Sequence, residues 1–97
     1  MIIGRVVGTC VATVKDQKLE GMKMLLVQPV NPKGDSVGQM VVAIDSVGAG
    51  IHETVLFASG SSARQTEITN GKPVDAVIMA IIDSLEINGD VIFQKDT

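Results

Sequence analysis

The stretch Ile2-Ile3-Gly4-Arg5-Val6-Val7-Gly8-Thr9-Cys10-Val11-Ala12-Thr13-Val14 alternates with period two. Its even positions are all apolar or small, whereas its odd positions include Arg5, Thr9 and Thr13, so it predicts a half-buried strand. Gly4 and Gly8 fall on the inner face, where a missing side chain leaves room for a bend or a bulge. Such glycines mark a strand that curls into a barrel. Cys10 shares that face and reads as a small hydrophobe rather than a reactive nucleophile.

Outward from this strand, Lys15 to Lys18 is a polar turn and Met22 to Val30 resumes the alternation. Met24 and Leu26 are expected inside and Lys23 outside, with Leu25 and Val27 on the other face, free to pack against a neighbouring subunit. Asn31-Pro32-Lys33-Gly34-Asp35 is dense in turn formers and predicts an exposed connection. Gln39 to Asp45 and Thr54 to Ser59 are the third and fourth strands. Ser61 or Ser62 is expected to cap a short helix that begins near Ala63 and runs to Thr66. From Val74 to Leu85 the β-branched Val77, Ile78, Ile81 and Ile82 favour a strand buried on both faces. Asn88-Gly89 is a strong hairpin signal, joining Ser84-Leu85-Glu86-Ile87 to Asp90-Val91-Ile92-Phe93. The polar tail Gln94 to Thr97 is expected to be mobile. Together these elements predict an all-β fold in which residues 1–97 form one domain, a small closed five-stranded β-barrel of the OB type with a short helix and a C-terminal hairpin.

Composition narrows the function classes. A chain of 97 residues buries a limited share of its surface, so oligomerisation is a reasonable source of stability. Hydrophobic residues reach 45% but aromatics only 2%, so the core must be built from Val, Ile, Leu, Met and Ala. A net charge of −3, no Trp and no Tyr argue against nucleic acid, because single-strand binders use a basic groove and stacking platforms. One cysteine excludes an intramolecular disulfide. The longest purely apolar run, Ala76 to Ile82, falls far short of the roughly 20 residues that span a bilayer. No membrane role, no cofactor and a cytoplasmic location are expected.

The candidate functional segment is Asp45-Ser46-Val47-Gly48-Ala49-Gly50-Ile51-His52-Glu53, followed by a strand and then by Gly60-Ser61-Ser62-Ala63-Arg64. Gly48 and Gly50 allow φ > 0 and close backbone approach, yet the loop carries no set of groups able to do chemistry. A dinucleotide fingerprint would need a third glycine at position 53, where Glu53 stands, and a βαβ unit. His52 has no second imidazole and no nucleophile at a recognisable catalytic spacing, so it reads as a solvated loop histidine. Asp45, Asp75 and Asp83 read as solvated carboxylates. Arg64 suits a structural ion pair, with Glu53 or Glu67 as partner, or an anion contact beside Ser61 and Ser62. No catalytic constellation is present, and the chain is not expected to be an enzyme. A small OB-type binding module for an oligonucleotide or a metabolite is the alternative that the residues leave open.

The two motifs DSVGAG and GSSAR on either side of ETVLFAS, with Met1 to Thr9, Leu19 to Pro29 and the run from Pro73 to Asp83, resemble the EutN/CcmL family of bacterial microcompartment vertex proteins. The resemblance covers nearly the whole chain. It implies the same barrel, a homopentamer that caps the vertices of a polyhedral shell (carboxysome or metabolosome) and flat layers of hexameric shell proteins as partners. It also implies that Ser46, Val47, Gly48, Ala49, Gly50, Ile51 and His52 form a loop lining the fivefold axis, with Glu53, Ser61, Ser62 and Arg64 at subunit boundaries. Family members often carry a small residue, commonly glycine, at the position of His52, so the imidazole would alter the charge of any pore.

Overall fold

The computed structural model describes residues 1–71 and 74–96. Pro73, where the last segment of the resemblance begins, and Thr97, at the end of the tail, lie outside them. Five strands close a barrel in the order β1-β2-β3-β5-β4: β1 (Ile2–Cys10), β2 (Met24–Pro29), β3 (Val41–Asp45), β4 (Thr54–Ser59) and β5 (Ala76–Ile81). Only β3 and β5 run parallel; every other pair is antiparallel. β6 (Ser84–Ile87) and β7 (Asp90–Gln94) form a separate two-stranded sheet. Its turn has Asn88 at φ 53° and Gly89 at φ 85°, the double left-handed turn that matches the twist of a hairpin.

β1 meets the expectation at one of its two glycines, Gly4, and departs from it at Gly8. Gly4 and Val6 are buried, but the pairing with β2 slips between Val6 and Gly8, so the extra residue Val7 makes a bulge and turns Gly8, opposite Leu26, and Cys10, opposite Met24, away from the inner face expected for them. The strand ends at Cys10 rather than Val14, and Val11 and Val14 are exposed. At Gly4 a Cβ would stand 2.5 Å from Val27 Cγ1 and 3.0 Å from Phe57 Cε1. The barrel interior crosses the strand at this point.

That packing reverses the expected facing of β2. Residues opposite each other in an antiparallel ladder share a face, and Val6 pairs with Val27. Leu25 and Val27 are therefore the core residues, joined by Val6, Ala43, Ala49, Val55, Phe57, Ala76 and Ile78. Met24, expected inside, lies instead against a second cluster on the barrel's outer surface, made of Ile44, Ala58, Ala63, Val74 and Val77. Both faces of β2 are apolar, so periodicity alone could not orient it. β5 is shorter than the expected Val74 to Leu85 and is buried on both faces only over Ala76 to Ile78, with Ile78 in the barrel and Val77 in the outer cluster, while Met79 is exposed.

The helical insertion is a 3₁₀ helix over Gly60–Arg64, and it ends two residues short of Thr66. Its cap position is Ser59, without a side-chain cap bond, and Ser62 Oγ donates to the Ser59 carbonyl at 2.8 Å. Neither Ser61 nor Ser62 is the cap. Ala63 is the residue this helix buries, and it seats the segment on the outer cluster. The C-terminal tail is anchored rather than mobile at Lys95, whose N–H donates to the Asp83 carbonyl at 2.7 Å.

Candidate functional site

Residues 45–53 connect β3 to β4, and two carboxylates hold their backbone. Asp45 Oδ1 accepts the N–H groups of Val47, Gly48 and Ala49 at 3.1, 3.1 and 3.2 Å. Its Oδ2 lies 3.7 Å from Lys23 Nζ, and the Asp45 side chain is only 2% exposed. Lys23 Nζ also donates to the Ala49 carbonyl at 3.4 Å. At the other end Glu53 Oε1 accepts the Gly50 N–H at 2.6 Å, while Oε2 pairs with Lys95 Nζ at 3.0 Å. Ser46 Oγ donates to the Ile78 carbonyl at 2.6 Å. Ala49 is buried in the barrel core, so the middle of the loop is pinned from below. What projects is Val47, Gly48, Ile51 and His52, all exposed.

Asp45 is thus an acceptor hub, not the solvated carboxylate that the sequence suggested. The pattern Asp-x-x-Gly at 45–48 is the signal that marks it, since an aspartate before a turn commonly receives the N–H groups that follow. Lys23 and Lys95 are the other loop-holding residues missed, and neither carries a local motif.

The left-handed backbone is distributed differently from the glycines. Gly48 has φ 78°, but the second positive φ falls on His52 at 73°, not on Gly50. Gly50 matters for space: a Cβ there would stand 3.3 Å from Glu53 Oε1. His52 is held in its conformation by its N–H, which donates to the Val6 carbonyl at 2.7 Å. A side chain with a Cβ is strained in that conformation and glycine is not, so His52→Gly is expected to raise the unfolding free energy by about 1 kcal/mol. Urea unfolding of the two proteins checks this, and an unchanged or lower midpoint would contradict the backbone geometry.

Glu53 has its carboxyl held below the usual carboxylate range, first by the hydrogen bond from Lys95 and then by that from Gly50. A folded-state pKa below the unfolded one adds stability that is complete above the unfolded value and is lost as pH falls through the folded value. Lys95→Met removes the larger cause. Stability profiles in urea should therefore converge for the two proteins at the acid end and separate toward neutral pH, whereas parallel profiles would show that the pair contributes nothing.

Of the boundary candidates, Ser61, Ser62 and Arg64 are exposed on the 3₁₀ helix. Among the described residues Arg64 forms no ion pair within the chain: Glu53, one expected partner, is engaged by Lys95. No group of three metal-ligating side chains occurs among the described residues, and no helix there is long and apolar enough to cross a membrane.

Barrel and loop together define a small β-barrel module of the OB type, whose loop backbone is held by Asp45 and Glu53 while Val47, Gly48, Ile51 and His52 project from it. The family model described as ethanolamine utilisation protein EutN/carboxysome matches residues 1–83, and the chain belongs to the EutN/CcmL family. The bacterial microcompartment shell vertex protein EutN of Escherichia coli is 43% identical over 95 residues, which cover 98% of this chain and all of that one. The solved structure of CcmL from Nostoc sp. superposes with a TM-score of 0.93 at 45% identity, covering 98% of this chain and 100% of that one. The pentameric microcompartment shell protein GrpN of Rhodospirillum rubrum gives a TM-score of 0.80 at 39% identity, covering 90% of this chain and 100% of that one.

Proposed function

We infer that this chain is a structural vertex subunit of a bacterial microcompartment shell, that it acts as a homopentamer, and that it closes fivefold corners between sheets of hexameric shell proteins in the cytoplasm. The observation that carries the reading is the similarity to shell vertex proteins along the whole chain. Function on this reading is geometric: a repeated head-to-tail contact closes when its rotation divides the circle, and a fivefold ring supplies curvature that a flat hexagonal layer lacks.

Ser46 to His52 would face the axis, and two carboxylates fix that loop from within each subunit, so its shape is set before assembly. The Arg64 guanidinium, unpaired within the chain among the described residues, is available with Ser61 and Ser62 to a neighbouring subunit. Glu53 is committed to Gly50 and Lys95, so its part at a boundary is to position the loop. Exposed aliphatic residues on the barrel, among them Val7, Val42 and Met79, are the kind of surface a ring contact covers. Native mass spectrometry at micromolar concentration should give five times the subunit mass, and a spectrum of monomers alone would overturn the reading.

A further inference from the structure

The C-terminal hairpin has no core of its own. β6 and β7 pair only with each other and belong to neither hydrophobic cluster, and a lone two-stranded hairpin is marginally stable in water. Near its turn Ile87 is 46% exposed and Val91 58%. The register pairs Glu86 with Val91 and Ile87 with Asp90, so each face of the tip carries one aliphatic side chain beside one carboxylate.

A complementary surface lies at the far end of β1. The ladder with β4 stops at Arg5 and Thr54, and the last cross-links join Val6 to His52 and Glu53. Beyond the bulge, one edge of β1 is unpaired from Val7 to Cys10 among the described residues. On the β2 side a groove of about 350 Å³ opens between the end of β1 and the start of β2, walled by Val11, Ala12, Met22 and Met24. Lys15 and Lys23 are its charged residues, and the Lys23 side chain, although it lies 3.7 Å from Asp45, is 58% exposed and leaves its ammonium group open to a second carboxylate. Apolar walls with two ammonium groups match a tip that offers two aliphatic side chains and two carboxylates.

We propose that the hairpin tip of one subunit seats in this groove of the next copy of the chain, with Ile87 and Val91 against its apolar walls and Glu86 and Asp90 facing Lys15 and Lys23. Tip and groove are different patches, so the contact is head-to-tail and repeats around a closed ring. The assignment rests on the ring reading above and names the arm that links its members.

Cys10 lines the groove and is the chain's one cysteine, which supplies the test. Ile87→Cys and Val91→Cys, made separately in the full chain and mildly oxidised, should form a disulfide to Cys10 of the adjacent copy, since the bond needs Cα atoms within about 7 Å. A ladder of covalent species up to five subunits on a non-reducing gel, abolished by Cys10→Ser, is the expected result. Reversing both charges with Glu86→Lys and Asp90→Lys should raise the subunit concentration for half-dissociation by about tenfold, and adding Lys15→Glu should recover part of the loss. Rings seen by native mass spectrometry that yield no inter-subunit bond from either cysteine would overturn the arm contact and leave the ring standing. A bond confined to one subunit, or an unchanged dissociation midpoint, would overturn it equally. Monomers alone in the unmodified protein would remove both readings.

Discussion

Gly4→Val should destabilise the barrel by about 3 kcal/mol or more, a large part of the 5–15 kcal/mol that holds a typical domain together. The first added atom meets Val27 Cγ1 at 2.5 Å, Phe57 Cε1 at 3.0 Å and the Gln28 carbonyl oxygen at 3.3 Å, and valine adds two further methyl groups to that crowd. Val27 is stiff at χ1, and Val27 and Phe57 are fully buried with no free space to retreat into. Gly4→Ala introduces only the first atom and should lie between. The source of the cost is separable: Val27→Ala removes the clashing methyl groups, so Gly4→Ala combined with Val27→Ala should lose less than the sum of the two single changes. Urea midpoints of the four proteins decide it. A Gly4→Ala protein as stable as the parent, or strict additivity, would show that β1 does not approach β2 and β4 as described. Because this glycine acts through the core, ring formation should fail together with folding.

Features written as local chemistry are legible in the sequence. Asn88-Gly89 announced the hairpin, because its turn demands a left-handed backbone that few residues tolerate, and Gly4 marked the place where β1 lies too close to Val27 and Phe57 for a Cβ. The resemblance carried by DSVGAG and GSSAR identified the family. Facing on β2 was not readable, since Met24, Leu25, Leu26 and Val27 are all apolar and the choice is made by Val6 across the ladder. Lys95 is a similar case: it reaches Glu53 from 42 positions away, and nothing adjacent to either residue encodes the pair. His52 shows the opposite failure. Of the two nearby glycines only Gly48 takes a left-handed φ, and the second such φ falls on the histidine, whose N–H is held by the Val6 carbonyl.

Asp45→Ala is expected to cost about 2–4 kcal/mol and to release the loop while the barrel stays folded. One carboxylate oxygen collects three successive N–H groups at 3.1 to 3.2 Å, and the other attracts Lys23 from 3.7 Å. Alanine strands those donors together. Water can serve Val47 and Gly48, which are exposed, but Ala49 is tied into the core and its N–H has no such recourse. Asp45→Asn separates the two contributions: its amide oxygen can still accept, while the charge that holds Lys23 is gone, so the loss should be about 1 kcal/mol and most of the loop order should persist. The ordering parent, asparagine, alanine should hold both in urea midpoint and in backbone amide NMR signals from residues 46–53, with signals from β1 and β4 little changed. On the vertex reading the alanine variant would still form the barrel, yet rings should assemble poorly, because the segment proposed to meet its four copies at the axis would no longer arrive with one shape. Alanine and asparagine variants equal to the parent in all three measurements would show that the loop takes its form without this carboxylate.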